Sequence, residues 1–240
     1  MILKKLTLRN FRGYESLEVP FDRNLNVIIG RNDIGKSTIL EALEIFFNND
    51  NTVKIEIQDL HVWAVEKRMS IGITLEVDKE RQYLIDSENK TSLVDEFLLN
   101  KDGDLEILKE WDCSKNLTAR SLSTFLKSYY PLEYSSEPLV TKTISGLRKI
   151  AKEVGVEDLV SDKRISSDFR KAIYSKSNLE DRETIKIPVD KEDAKAIWGS
   201  LSRELPLFAF FQSDRQNKDS DKEVQDPLKL ITKQAIATKE

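Results

Sequence analysis

A mixed α/β fold is predicted by three observations. Short runs of alternating or continuously apolar residues fill the first 30 positions and read as strands. A glycine-bounded loop follows and opens directly into an amphipathic helix. Further strand-like and helical segments then succeed one another to the end of the 240 residues.

The elements follow in order. Ile2, Leu6 and Leu8 alternate with Leu3, Lys5 and Thr7, and Asn10-Phe11-Arg12-Gly13-Tyr14 breaks the run. Leu17, Val19 and Phe21 give a second half-buried strand near an edge. Asp22-Arg23-Asn24 reads as a turn, and Leu25, Val27, Ile28 and Ile29 as a strand covered on both faces. Past the loop, Ile39, Leu40, Leu43, Phe46 and Phe47 recur at helical spacing until Asn48–Asn51 stops them. Ile71, Ile73, Leu75 and Val77 mark a strand, and residues 97–108 a hairpin turning at Asp102-Gly103. Helical pieces are expected over 118–128, 144–154, 166–176 and 190–204, interrupted by a strand at Thr184–Val189. Leu207–Phe211 reads as a second buried strand, expected beside 25–29 or one strand away. A last helix starts at Asp226-Pro227, with a stripe of Leu228, Ile231, Ala235 and Ile236. The implied organisation is a β-rich lobe over 1–116, a largely helical insertion over 117–204, and a return strand with the start of a longer helix over 205–240.

Composition narrows the chemistry. The formal net charge is −4, so the whole chain does not advertise a nucleic-acid binder. One cysteine (Cys113) and one histidine (His61) exclude a disulfide framework and a Cys/His zinc site. A reducing, cytoplasmic compartment is expected. No apolar run is long enough for a membrane span, and Met1–Leu6 enters an alternating pattern, so no secretory leader is expected.

The loop carries the chemistry. Gly30-Arg31-Asn32-Asp33-Ile34-Gly35-Lys36-Ser37-Thr38 matches the phosphate-loop pattern in full. Its glycines let backbone N–H groups approach phosphate oxygens, and the helix adds its positive end. Lys36 should meet the β- and γ-phosphates, and Ser37 should place its hydroxyl on Mg²⁺. ATP and Mg²⁺ are the expected ligands. The ordinary alternative is a glycine-flanked turn capping a helix. No strand supplies a convincing metal acid: Tyr83–Asp86 reads as a peripheral strand end, and Phe208–Phe211 is followed by Gln212.

Leu8-Arg9-Asn10-Phe11-Arg12-Gly13-Tyr14, followed by Val27–Thr38 and Leu40-Glu41-Ala42, resembles the start of RecF/SMC-like ABC-type ATPase heads. More narrowly it resembles the OLD (overcoming lysogenization defect) ATPase-nucleases and their Gabija-type defence relatives, which Asn32-Asp33-Ile34-Gly35-Lys36 suits. Asp33, where the common SMC form has Gly, departs from the SMC branch. The resemblance implies a P-loop NTPase, an ABC-like N-terminal lobe with a mixed sheet and a helical insertion. It implies a Q-loop glutamine contacting the metal and the attacking water, and Gln212 fits that place. It further implies a C-terminal lobe or second head as partner, with a homodimer and DNA binding conceivable in the full assembly, and action in DNA processing or phage defence. The signature loop, the Asp-Glu strand and the switch histidine of such heads are not found. Asp102-Gly103-Asp104 and Asp219-Ser220-Asp221 have the spacing of a Toprim acid pair but sit in a turn and a polar loop. The chain therefore reads as the N-terminal part of a larger ATPase. A stand-alone P-loop kinase and a non-enzymatic ATP-binding module remain alternatives.

Other residues have plainer readings. His61 could touch nucleotide or act as a base, but a histidine bonded to a nearby carboxylate or carbonyl is the simpler expectation. Cys113 beside Trp111 reads as core. Tyr129, Tyr130, Tyr134 and Trp198 could stack on bases, with partner packing the alternative. Lys4, Lys5, Arg9, Arg12 and Arg23 could meet DNA phosphates or form a solvated face.

Overall fold

The computed structural model describes residues 1–30, 35–48, 53–80, 82–84 and 90–209. Its frame is a six-stranded sheet, antiparallel throughout, in the order β2-β1-β3-β6-β7-β8. The strands are β1 (Ile2–Phe11), β2 (Tyr14–Pro20), β3 (Arg68–Glu76), β6 (Leu105–Asp112), β7 (Leu122–Pro131) and β8 (Arg182–Pro188). A short pair, β4 (Gln82–Leu84) and β5 (Lys90–Ser92), stands apart from it. The helices are α1 (Lys36–Asn48), α2 (Ile144–Val154), α3 (Ser166–Tyr174) and α4 (Glu192–Arg203).

The pleat sorts the side chains. Leu6 and Leu8 of β1, Ile71, Ile73 and Leu75 of β3, Leu105, Ile107 and Trp111 of β6, and Leu126 and Tyr130 of β7 are all buried in one core. α1 joins that core through Ile39, Ala42, Leu43, Ile45 and Phe46. β3, inside the sheet, is buried on both faces from Met69 to Leu75, with Gly72 letting Leu108 approach closely. Lys109 interrupts the apolar row of β6. It is buried, its Nζ donates to the Phe46 carbonyl at 2.8 Å, and it lies over the Phe46 ring. That carbonyl belongs to the last turn of α1, where carbonyls lack helical partners and a cation is favoured by the helix dipole.

α2 shows the terminal signals that its sequence carries. The Thr143 hydroxyl accepts from the Gly146 amide, and Gly155 closes the helix in the left-handed region at φ 73°. Between α3 and the loop before β6, Arg170 is fully buried and pairs with both oxygens of Glu96 and with Asp193 at the start of α4. This triad ties the helices to the chain crossing beside β5.

Four expectations are corrected. Residues 118–128, expected as helix, contribute to β7. Alternation of Leu126, Ser128 and Tyr130 against Phe125, Lys127 and Tyr129, in a run with three aromatic residues, suits a strand once β6 and β8 flank it. The sheet therefore continues through position 117. The run 25–29 enters no strand: Leu25, Val27 and Ile29 are 75%, 69% and 89% exposed. A two-faced apolar run becomes a strand only where neighbours bond its backbone, and none of the described strands does. Nor do residues 207–209 pair with it; Phe208 stacks on Phe47 of α1 instead, and its carbonyl accepts from Asn48 Nδ2. The turn at Asp102-Gly103 forms, with Gly103 at φ 79°, but its first arm at 97–99 is no strand.

Candidate phosphate-binding site

The turn joining β1 and β2 comes first in the site. Asn10 and Arg12 both take left-handed backbone, at φ 49° and 51°. The strain of such conformations in non-glycine residues is held only where the surroundings over-determine it. Here the Arg12 amide donates to the Asp59 carbonyl, the His61 amide to the Asn10 carbonyl, and Asn10 Nδ2 to the Arg68 carbonyl. The turn thus locks against the segment after α1, where Phe11 also bridges to Leu60. From that backbone the Arg12 guanidinium reaches Asp59 at 2.8 Å and Glu41 of α1. Burial works against its charge, but hydrogen bonds to Glu41 and Asp59 outweigh this and raise its pKa.

Next comes the loop. Arg31, Asn32, Asp33 and Ile34 lie outside the described residues. Gly30 ends the extended segment, and Gly35 sits at φ 83° against the phenol of Tyr14. α1 begins at Lys36, and the Thr38 amide closes its first turn onto the Gly35 carbonyl at 3.0 Å. Lys36 Nζ donates to the Gly30 carbonyl at 2.6 Å. Ser37 is exposed in the first helical turn, which carries no acidic residue. The positive end of a 13-residue helix, the Lys36 ammonium beside Gly30 and an exposed Ser37 are the parts that an anion-binding site would use. A Cβ at position 35 would stand 2.6 Å from Tyr14 Oη, so only glycine fits the space and the φ. These residues fit a nucleotide phosphate with its magnesium: Lys36 and the amides from Gly35 onward would hold the phosphate, and Ser37 the metal.

Other expected site residues fall elsewhere. Gln212, Asp86, Asp214, Asp219 and Asp221 lie outside the described residues. Asp104 is buried in an ion pair with Lys4 at 2.6 Å, away from any acid cluster. Among the described residues no group of three or more His, Cys, Asp or Glu side chains is placed to hold a metal. Lys5 and Arg9 pair with Glu18, and Arg23 with Glu76, so the N-terminal cations form a carboxylate-neutralised face. Tyr130 is core: its hydroxyl bonds that of Tyr174 and accepts from the Leu139 amide. Cys113 is buried, as expected. His61 is buried too, but Nδ1 finds no hydrogen-bond partner among the described residues, and the ring meets Trp63 edge-on at 5.6 Å.

Sequence reasoning missed Arg12 and Tyr14 as parts of this site. The signal was there in the broken alternation at Asn10–Tyr14, but nothing in it says which element the turn would meet.

Comparison with known proteins accords with this geometry. The AAA ATPase domain family matches residues 1–240. The chain belongs to that family. Within it, a DNA replication and repair protein RecF from Lactococcus lactis subsp. cremoris is 51% identical over 73 residues, covering 30% of this chain and 20% of that protein. The RecF of Clostridium kluyveri is 29% identical over 127 residues, 51% of this chain and 28% of that protein. The DNA double-strand break repair Rad50 ATPase of Archaeoglobus fulgidus is 30% identical over 94 residues, 39% of this chain and 10% of that protein. The matched part is thus 10% to 28% of these relatives' length. A solved structure from work on ATP-driven dimerization and DNA-stimulated activation of SMC ATPases overlaps 52% of this chain and 68% of its own, at 18% identity and a TM-score of 0.35. So loose a superposition decides nothing further. No helix among the described residues is long and apolar enough to cross a membrane.

Proposed function

We propose that this chain is the ATP-binding lobe of an ABC-type ATPase of the OLD/RecF/SMC kind, acting in DNA processing or phage defence and incomplete for hydrolysis by itself. The observation that carries the reading is Lys36, in the first turn of α1, donating to the Gly30 carbonyl beside a left-handed Gly35 where a side chain would be strained and would crowd Tyr14. Phosphate would take the place of the Gly30 carbonyl as the partner of Lys36 Nζ. The amides at the start of α1 would orient its oxygens, and the Ser37 hydroxyl would hold the magnesium. Magnesium, when bound, neutralises charge between the terminal phosphates.

The incompleteness reading rests on the exposed row Leu25, Val27 and Ile29, directly before the loop. A C-terminal lobe would add the strands that cover it, and that lobe or a second head, in a homodimer, would close over the γ-phosphate. Gln212 remains the proposed Q-loop residue. Phe208 sits beside Asn48, at the far end of α1. In this proposal the helices α2, α3 and α4 are the inserted part. DNA would be met by the full assembly, as the relatives' names suggest.

Calorimetric titration with a non-hydrolysable ATP analogue and Mg²⁺ tests the reading. Binding by the native chain that is lost in Lys36→Ala is the expected result; no binding by either sinks it.

A further inference from the structure

We propose that Tyr14 is a positioning residue of the phosphate loop: its phenol ring seats Gly35 and fixes the left-handed turn from which Lys36 and Ser37 follow. The inference rests on the phosphate-binding reading and deepens it. Gly35 would otherwise be the loosest joint in the site, because a glycine visits both signs of φ freely and surrenders that freedom when phosphate binds. Tyr14 removes the freedom beforehand. A Cβ built on Gly35 would meet Oη, Cζ and Cε2 of Tyr14 at 2.6, 3.0 and 3.1 Å, so the end of the ring fills the space where a side chain would stand.

The ring is itself well anchored. Tyr14 opens β2, paired with Phe11 of β1, and Phe11 is fully buried. The turn between them is the strained one that Asp59 and His61 hold through the backbone of Arg12 and Asn10, and Arg68 through the Asn10 side chain. Arg12 from the same turn grips Glu41, farther along α1. One rigid turn therefore meets the phosphate-loop helix at two points, a ring against its approach and a guanidinium against its side. Preorganisation of this kind strengthens binding by lowering the ordering cost, without adding a contact to the ligand.

The test compares native chain, Tyr14→Phe and Tyr14→Ala in calorimetric titrations with Mg-ATP analogue and Mg-ADP, together with amide hydrogen exchange at residues 35–37. Tyr14→Ala should bind both nucleotides about five- to tenfold more weakly, the size of one lost ordering contribution. It should also speed exchange at residues 35–37 while leaving β3 protected. Tyr14→Phe, which keeps the ring, should stay within about twofold of native affinity. If Tyr14→Ala fails to fold, Tyr14→Leu, which keeps apolar bulk but no planar ring, replaces it with the same expectation. Native affinity in Tyr14→Ala or Tyr14→Leu overturns the inference, as does an equal loss in Tyr14→Phe, which would place the effect in the hydroxyl. Should the native chain bind no nucleotide, or Lys36→Ala bind as well as native, the phosphate-binding reading fails instead.

Discussion

Lys36 donates to the Gly30 carbonyl, and that contact is what a phosphate would replace. A charge-assisted hydrogen bond of this type contributes about 1.5–3 kcal/mol, so Lys36→Ala should weaken nucleotide binding roughly tenfold to a hundredfold. Thermal unfolding of the ligand-free variant should change little, since the ammonium makes an exposed contact with Gly30 and fills no core space. A melting point that falls sharply while affinity holds would reverse this assignment of roles. The residue types at 30, 35, 36 and 37 announced the site in the sequence, because each does a chemical job that few other side chains can do. Tyr14 and Arg12 did not announce themselves. A tyrosine and an arginine serve many purposes, and theirs follow from the place where the β1–β2 turn lands.

Among the elements, α1 and β6 meet at Lys109. Its stem lies among apolar residues and its ammonium caps the last turn of α1. Lys109→Ala would leave a buried carbonyl short of a donor and open a gap, which should cost about 1–3 kcal/mol or more. Urea unfolding monitored by circular dichroism measures this; a loss under half a kcal/mol would show that water replaces the cap. Helix boundaries were legible: residues 144–154 were expected as a helix and form α2, because Thr143 and Gly155 are capping residues in their own right. β7 was not, because an alternating aromatic run becomes a strand through its partners on either side. The two most apolar runs misled for the same reason in reverse. Continuous hydrophobicity signals burial, and the sequence does not say what must be present to bury it.

For the molecule as a whole, two outcomes are expected. Burial is the main cause that pushes the Tyr130 hydroxyl up to about 12, from an ordinary value of 10.0. The unfolded chain ionises this group near its ordinary value and the folded chain does not. Stability is therefore fully present below pH 10 and declines as pH rises through the window to about 12. A shift of that size corresponds to roughly 2–3 kcal/mol, to which Tyr174, also raised by burial, adds in the same direction. Urea midpoints at pH 8, 10 and 11.5 should fall, and Tyr130→Phe should flatten part of the fall; a level profile would contradict it. The second outcome concerns turnover. Positioning phosphates without a group that orients the attacking water leaves most of the barrier standing. The isolated chain should bind Mg-ATP yet release phosphate no faster than Lys36→Ala does. A native rate of about 0.1 s⁻¹ or more, absent in the variant, would mean that a catalytic acid lies in this chain after all, with Asp86 and Asp214 the first to replace.

The sequence by itself determined the helix that follows the glycine-bounded loop and the alternating strands on either side of the β1–β2 turn. These are local matters, fixed by which residues tolerate positive φ, which cap a helix and which repeat at a period of two or 3.6. Only the tertiary structure decided that the sheet is antiparallel and runs through residue 117, and that Arg170 closes a buried triad with Glu96 and Asp193. It alone brought Tyr14 onto Gly35. Each of these depends on contacts between residues far apart in the chain, and such contacts are chosen by the pairing and packing of whole elements rather than by any residue's own preference.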